Sequence, residues 1–245
     1  MRKTKKQPSI SIVLPVYNER LRISQGILKA LDLREKWDGS VEIIIVDDGS
    51  DDETIAQIPP NIRSEINIIS LAHQGKGEAV KQGVLQASGE RILFSDIDWS
   101  VPVEQVLEML LLDADIVIAS REIMGARRVA EPPWRHLVGK LFNRWVQWML
   151  LSGYEDTQCG CKVFRAQVGK QIFSQVQEKG WAFDVEVLVL AHVLGIMVME
   201  FPVSWQYHAS SKIDVLRDGV QMARAVLRIK RRLLRREYLA GHFQN

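Results

Sequence analysis

Two aspartates separated by one residue, Asp96 and Asp98, follow the apolar segment Arg91–Phe94. In extended backbone, residues two positions apart point to the same side. Two like charges at that spacing cost energy unless a proton or a cation lies between them. A hard divalent cation, Mg²⁺ or Mn²⁺, is held by one or two carboxylates together with substrate phosphates. The pair therefore predicts a metal site with Asp96 and Asp98 as its ligands.

Acidic side chains also follow two earlier apolar segments. Glu19 comes after Ser9–Leu14, and Asp47 and Asp48 come after Val41–Val46. In an open α/β sheet, ligands bind outside the carboxyl ends of the strands, so these groups should meet at one edge. Aspartate after a strand is also typical of a turn, and for Asp48 that interpretation stays open.

The turn Gly75-Lys76-Gly77 could let backbone and the Lys76 ammonium approach a nucleotide, or it could simply lead into a helix. A dinucleotide fingerprint is excluded because Val80 stands where its third glycine would be, and no Gly-Lys-Ser/Thr sequence marks a Walker loop.

Strand and helix patterns alternate with short connections from Ser9 to Ala119, which predicts an α/β domain built on a mostly parallel, doubly wound sheet. Strands are predicted at Ser9–Leu14, Val41–Val46, Ile66–Leu71, Arg91–Phe94 and Asp115–Ala119, with an extended segment at Val198–Trp205. Helices are predicted at Glu19–Trp37, Glu78–Ala87, Pro102–Leu112, Trp134–Leu151, Ala166–Gln177, Ala182–Leu194 and Ile213–Glu237.

The composition is that of an ordinary globular protein: of 245 residues, 47% are hydrophobic and 25% charged. This excludes disordered and collagen-like chains. The two cysteines, Cys159 and Cys161, are too close in sequence for an unstrained disulfide, which favours packing roles and a reducing compartment. The longest apolar stretch of the C-terminal third, Val187–Met199, is too short to span a bilayer.

Positive charge is concentrated at the two ends of the chain, although the net charge is only +2. We therefore expect a basic N-terminal tail (1–8), one domain (9–212) and a C-terminal basic helix and tail (213–245). Basic ends on a near-neutral body suggest an anionic partner, either a membrane surface or nucleic acid, or solvent alone. A nucleic-acid-binding module would leave the converging carboxylates unexplained, since they repel phosphate without a metal, so no nucleic-acid partner is expected.

Six motifs occur in the order found in family 2 glycosyltransferases, which this chain resembles from about residue 9 to residue 215. They are Ser11-Ile-Val-Leu-Pro-Val-Tyr-Asn-Glu19, Val46-Asp-Asp-Gly-Ser50, Gly75-Lys-Gly77, Ser95-Asp-Ile-Asp98, Ala119-Ser-Arg121 and Asp156-Thr-Gln-Cys-Gly160. The resemblance is to the branch that makes polyprenyl-phosphate sugars. Asp156–Phe164 and Trp181–Glu186 are more similar to its dolichyl-phosphate β-glucosyltransferases than to its mannose synthases.

This resemblance implies a GT-A fold and a metal-dependent, inverting hexosyltransferase that uses a nucleotide sugar. It places Pro15, Tyr17, Glu19 and Asp47, with Lys76 and Asp96, at the nucleotide, and Asp96 and Asp98 at Mg²⁺ or Mn²⁺. It places Arg121 and Arg135 at the acceptor and donor phosphates, Lys212 on a loop that can close over the diphosphate, and Asp156 and Arg121 at the reacting groups.

The resemblance further implies glucose transfer from UDP-glucose to a polyprenyl phosphate. Mannose transfer from GDP-mannose, or a non-lipid acceptor, are the alternatives. A phosphate acceptor is mostly dianionic at neutral pH and already nucleophilic, so Asp156 could orient it or act as a base. The tryptophan-rich helix Trp134–Leu151 either lies in a membrane interface or packs on the sheet, and the basic terminal helix either meets an anionic leaflet or stays in solvent. With a lipid acceptor, the first alternative in each case predicts peripheral binding to the cytoplasmic face of a membrane.

Overall fold

The computed structural model describes residues 9–151, 153–208 and 215–238. Within these residues, seven strands form one sheet and two short strands form a separate ribbon. The strands are β1 (Ile10–Val16), β2 (Val41–Asp47), β3 (Asn67–Ser70), β4 (Arg91–Ser95), β5 (Ile116–Ser120), β6 (Arg127–Val129), β7 (Cys161–Arg165), β8 (Val198–Pro202) and β9 (Ser204–Gln206).

Eight α-helices lie in the same described part of the chain, with a short 3₁₀ turn at Ile55–Gln57. They are α1 (Ile23–Lys36), α2 (Pro60–Arg63), α3 (Lys76–Gln86), α4 (Val103–Leu111), α5 (Pro133–Met149), α6 (Ala166–Gln175), α7 (Phe183–Val193) and α8 (Val215–Leu234). Helix α1 begins four residues later than the apolar pattern predicts, because Asn18 has a positive φ and the Glu19 carbonyl closes a turn.

The order of strands in the sheet is β3-β2-β1-β4-β7-β5-β8. All neighbours are parallel except β7, which runs antiparallel to both β4 and β5. The predicted mostly parallel α/β sheet is thus confirmed, but β7 itself is not apparent in the sequence. Ser95 pairs with Cys161, so β7 starts where β4 ends. The segment before β7 therefore reaches the same sheet edge as the residues after β4.

Successive residues of the central strands pack on opposite faces of the sheet. Val13 packs with Val84 of α3 in one core, while Ile12 and Leu14 pack with Ile27 of α1 in the other. Because both faces are covered, β1 is buried along its whole length and reads as a nearly continuous apolar run.

The ribbon formed by β6 and β9 is parallel and pairs Arg128 with Trp205. Val203 joins it to the main sheet: its amide donates to the Ser120 carbonyl of β5, and its carbonyl accepts from the Arg127 amide of β6. This connection places the Trp205 ring beside the carboxyl end of the main sheet, where the candidate site lies.

Helix α8 packs on the main core alongside α5: Val226 and Ile229 are fully buried in the same cluster as Val146 of α5. Both helices nevertheless keep apolar side chains exposed, among them Trp134, Leu137, Leu141, Trp148, Leu227 and Leu234. In the described part of the chain, no helix has the length and apolar character needed to cross a bilayer.

Candidate active site

Asp47, the last residue of β2, and Asp48, the next residue, both accept hydrogen bonds from other residues of the protein. The Asp47 carboxylate accepts hydrogen bonds from the Ser50 amide (3.0 Å) and hydroxyl (2.6 Å), which is a turn of the aspartate type. The Asp48 carboxylate is 2% exposed and accepts from the amides of Gln74 (2.9 Å) and Gly75 (2.8 Å). Asp48 therefore has a structural contact that is not a local turn: it holds the loop that leads into α3.

The first strand ends in an aromatic platform. Pro15 is a buried strand residue paired with Val46, whereas Tyr17 is exposed and its ring stacks on His73, with centroids 4.0 Å apart. Glu19 follows Tyr17 by two residues, and its carboxylate accepts two hydrogen bonds from the Arg22 guanidinium, of 2.5 and 2.6 Å.

Lys76 and Asp96 form an ion pair of 2.5 Å at the end of β4. Burial by itself lowers the pKa of Lys76, but the carboxylates of Asp96 and Asp184 outweigh it and leave that pKa raised. Burial raises the pKa of Asp96 against the opposing charge of Lys76. The Lys76 ammonium also lies 4.8 Å from the centre of the Trp181 ring. A cation thus already neutralises Asp96, which the spacing of the two aspartates alone does not reveal.

Asp98 has different partners from Asp96, whose side chain is 34% exposed. Its side chain is 23% exposed, one carboxylate oxygen accepts from the Ser100 amide and hydroxyl, and the other lies 3.9 Å from Arg22. No group of three or more metal-binding side chains occurs among the described residues. Two carboxylate ligands, with phosphate oxygens completing the shell, nevertheless suit Mg²⁺ or Mn²⁺.

The Asp96 carboxylate packs against a glycine, Gly160. The Asp96 amide donates to the Gly160 carbonyl at 3.0 Å, and a Cβ at position 160 would collide with the Asp96 carboxylate. Gly160 belongs to the segment that β7 brings to this edge. Antiparallel β7 thus brings a glycine against one of the two predicted metal ligands, and a larger residue there would displace the Asp96 carboxylate.

Arg121 and Asp156 form a buried, bidentate pair. The guanidinium donates to both carboxylate oxygens, at 2.7 and 2.9 Å, and the Arg121 amide adds a third bond at 3.0 Å. Burial opposes ionisation of Asp156, but Arg121 outweighs it and lowers the pKa of Asp156 to about 2. A carboxylate of this kind is a weak base and a firm anchor for the arginine.

Two aromatic rings support the arginines of this region. The guanidinium carbons of Arg121 and Arg128 lie 5.2 and 5.8 Å from the centre of the Trp205 ring. Arg135 lies 5.3 Å from the centre of the Tyr207 ring. Trp205 also lines one crevice with Asp96, Cys159 and Gly160, so the acidic and the arginine-rich groups are neighbours.

Arg128, Trp205 and Tyr207 of this site were not identified from the sequence, because residue type alone does not mark an arginine or an aromatic side chain near an active site. Trp181 and Asp184 belong to the segment Trp181–Glu186, in which Asp184 fits an ion pair at the edge of the core as well as a role in the site. The structure shows the ion pair: a buried Lys162–Asp184 pair (2.5 Å) lies beneath Lys76, whose charge Asp184 supports. Cys159 is buried and free, and burial raises the pKa of its thiol to about 12, in keeping with a packing role. Lys212 lies outside the described residues.

The sequence matches the family model described as glycosyl transferase family 2 over residues 11–168, more than half of the chain. It is 34% identical to a dolichyl-phosphate beta-glucosyltransferase from Dictyostelium discoideum, covering 92% of this chain and 75% of that one. It is 31% identical to the Homo sapiens protein of the same name, covering 92% and 76%.

Solved structures share the fold at lower sequence identity. Mannosyl-3-phosphoglycerate synthase from Rubrobacter xylanophilus superposes with a TM-score of 0.68 at 22% identity, covering 97% of this chain and 77% of that one. Glucosyl-3-phosphoglycerate synthase from Mycobacterium tuberculosis, in complex with Mn²⁺, UDP and glucosyl-3-phosphoglycerate, gives 0.66 at 21%, covering 91% and 78%. The family match and the relatives above 30% identity, on a GT-A type of fold, lead to one conclusion: the chain is a glycosyltransferase that belongs to glycosyl transferase family 2.

Proposed function

We propose that this protein transfers glucose from UDP-glucose to a polyprenyl phosphate. The observation that carries this proposal is the identity of 34% with the Dictyostelium dolichyl-phosphate beta-glucosyltransferase over 92% of the chain. The arrangement of the site supports it, because acids beside Lys76 adjoin a region of aromatic-supported arginines.

The donor would lie over the carboxyl ends of β1, β2 and β4. Tyr17, on its His73 support, offers an exposed ring for the base, and Asp47 and Glu19 offer carboxylates for the nucleoside next to buried Pro15. Lys76, together with Asp96, would meet the donor at the start of α3. The other family 2 candidate donor, GDP-mannose, has no observation in its favour.

Asp98 and Asp96 would hold Mg²⁺ or Mn²⁺. When bound, the cation would supply positive charge to the leaving diphosphate. The fit of the site rests on the two partly exposed carboxylates, Asp98 at 23% and Asp96 at 34%, the second of which takes its position against Gly160. The Mycobacterium synthase, which shares the fold, was crystallised with Mn²⁺ and UDP.

The acceptor phosphate would lie on the arginine side of the crevice, at Arg121 and Arg135, with Lys212 closing over the diphosphate. In the transfer, an acceptor phosphate oxygen bonds to C1 of glucose while the bond between C1 and the diphosphate oxygen breaks, and UDP leaves with the electron pair. An acceptor dianion becomes a diester monoanion and UDP gains one negative charge, so no proton has to move. Asp156, with its pKa of about 2, then orients Arg121 and does not act as a base.

Access to a lipid acceptor would come through peripheral membrane binding by α5 and α8. Trp134, Leu141 and Trp148 of α5 are exposed, as are Arg231 of α8 and Arg235 just after it, and the two helices meet where the Lys230 ammonium lies 5.9 Å from the centre of the Trp148 ring. Tryptophan with basic residues on an amphipathic helix suits the membrane interface. The cytoplasmic leaflet is the anionic one, which favours that face.

The test is incubation of the purified chain with labelled UDP-glucose or GDP-mannose, Mg²⁺, and one of three acceptors: a short polyprenyl phosphate, the matching polyprenol, or 3-phosphoglycerate. We expect a glucolipid only from UDP-glucose and the polyprenyl phosphate. Transfer from GDP-mannose alone would replace the donor, and transfer to 3-phosphoglycerate alone would replace the acceptor. Reaction of the polyprenol would contradict the phosphate-nucleophile mechanism.

A further inference from the structure

A cluster of charged side chains and one tyrosine joins α8 and the turn after it to the segment around the start of α7, and all of its members except the half-exposed Arg228 are largely buried. We call this cluster the α8 clasp and define it as Glu178, Glu186, Arg228, Arg232 and Tyr238. Arg228 donates to both oxygens of Glu178, at 3.1 and 2.6 Å. A single terminal nitrogen of Arg232 donates to Glu178 at 2.8 Å and to Glu186 at 3.0 Å.

Glu186 is the centre of the clasp. It is fully buried, and one of its oxygens accepts from Arg232 and from the Tyr238 hydroxyl, at 2.6 Å. Its other oxygen accepts from the backbone amides of Gln177 (2.8 Å) and Glu178 (2.7 Å). Glu186 therefore ties α8 directly to the backbone of the loop that precedes α7.

That loop, residues 176–181, is bonded on its other side to α3. The amides of Gly77 and Glu78 donate to the Lys179 carbonyl at 2.7 and 3.2 Å, and the Lys81 ammonium donates to the Val176 carbonyl at 2.7 Å. A Cβ at Gly75 would lie 2.5 Å from the same Lys179 oxygen, so the two segments approach too closely for any larger residue.

The contact ends at the donor side of the candidate active site. Lys76 lies between Gly75 and Gly77, its ammonium is 4.8 Å from the Trp181 ring centre, and it pairs with Asp96 at 2.5 Å. Loop 176–181 thus positions Lys76 in two ways. Its Lys179 carbonyl accepts from the two amides that follow Lys76, and its Trp181 ring lies beside the Lys76 ammonium.

We propose that the α8 clasp positions Lys76 for the nucleotide diphosphate, so that a terminal helix distant from the substrate sets donor affinity. The proposal rests on the assignment of Lys76 to the donor in the function proposed above. Arg232 and Glu186 are positioning residues in this account, because they act through loop 176–181 and touch no substrate.

The test is calorimetric titration of UDP with Mg²⁺ into the full chain and its variants, below the unfolding temperature of each. Arg232→Gln leaves Glu178 and Glu186 without one of their cations and should weaken UDP binding about 2-fold to 30-fold, the range that coupling through a packed network gives. Arg232→Lys should restore affinity, because one nitrogen makes both bonds in the wild type. Lys29→Gln, which removes an exposed cation of α1 outside the clasp, is the matched control.

Steady-state kinetics separate positioning from mere stability. A positioning role raises the KM for the donor and leaves the KM for the acceptor unchanged, whereas loss of folded protein lowers kcat alone.

If Arg232→Gln does not fold, Tyr238→Phe and Arg228→Gln replace it, since each removes a milder contact of the same cluster. Folded clasp variants that bind UDP as the wild type does would overturn the proposal. Failure of the wild type itself to bind UDP would instead reject the proposed function, and the clasp proposal with it.

Discussion

Asp96 and Asp98 are separated by one residue but have different partners: Lys76 neutralises Asp96 at 2.5 Å, while Asp98 accepts from Ser100 and lies 3.9 Å from Arg22. Asp98→Asn should therefore abolish nearly all transfer, by about 10²- to 10³-fold, as expected when one group that stabilises transition-state charge is removed. Its unfolding temperature should hardly change, because Asp98 is bonded mainly to its neighbour Ser100. Turnover at saturating Mg²⁺ is the measurement, with exposed Asp51→Asn as control. Normal turnover by folded Asp98→Asn would contradict the metal assignment.

The Arg121–Asp156 pair predicts how rate depends on pH. Asp156, with a pKa of about 2, stays ionised from pH 5 to 8, so its titration cannot shape the profile there. The acceptor phosphate has a second pKa near 6, and only its dianion is the nucleophile. We expect kcat/KM for the acceptor to rise through about pH 6 and then level off. A flat profile over that interval would count against a phosphate nucleophile.

The same pair predicts acid sensitivity of the fold. The pKa of Asp156 is depressed in the folded state relative to about 3.9 in the unfolded chain, so its stabilisation is present above that value and lost as pH falls toward 2. The loss should be about 2 to 3 kcal/mol for a buried group. Urea unfolding between pH 5 and 2.5 measures it, with Asp156→Asn as the comparison. An equal acid slope in that variant would assign the loss to other carboxylates.

At the scale of elements, β7 brings Gly160 against Asp96, and the missing side chain of Gly160 lets the Asp96 carboxylate take its position. Gly160→Ala should displace the Asp96 carboxylate or the preceding turn, and so reduce turnover more than 10-fold, as expected for small misplacements at a reacting centre. Gly139→Ala in α5 is the control, since its Cβ would meet nothing within 4 Å. That change should stabilise the protein by roughly 0.5–1 kcal/mol through helix propensity. Unaltered kinetics of Gly160→Ala would show that catalysis does not depend on this position of the Asp96 carboxylate.

Elements with a local signal could be predicted from the sequence, and those without one could not. The apolar runs of β1, β2 and β4 and the acids that follow them could be located because a buried parallel strand has its own pattern. Strand β7 could not, since a fully buried lysine, Lys162, interrupts its apolar run and is tolerated only because Asp184 pairs with it.

The site shows the same division. The acids at the strand ends have a sequence signature, whereas the Lys76–Asp96 and Arg121–Asp156 pairs join residues brought together only by the fold. The basic terminal helix was expected to offer its charges to solvent or lipid. Instead, Arg228 and Arg232 form ion pairs with Glu178, which precedes α7. Composition alone does not tell which arginines of a basic helix pair with acids of the same chain.

For the whole molecule, this result changes which arginines are available to a membrane. Among the residues whose exposure the structure describes, the exposed arginines of α8 outside the clasp are Arg224 and Arg231, with Arg235 and Arg236 exposed in the turn that follows it. Apolar Leu227 and Leu234 lie among them, 46% and 73% exposed. Removing the whole end of the chain would also remove buried Tyr238, so binding has to be tested by single substitutions that leave the clasp intact.

We expect the full chain to sediment with anionic vesicles and to be released by salt, since each basic residue near an anionic leaflet contributes about 1 kcal/mol. The triple variant Arg224→Gln, Arg231→Gln and Arg235→Gln should lose about 3 kcal/mol of that affinity. Leu137→Gln with Leu141→Gln on α5 should instead weaken binding to neutral and anionic vesicles alike, because burial of apolar surface does not depend on lipid charge. Binding that survives the triple variant unchanged would exclude α8 as the electrostatic contact. An absence of binding at low salt would exclude both helices.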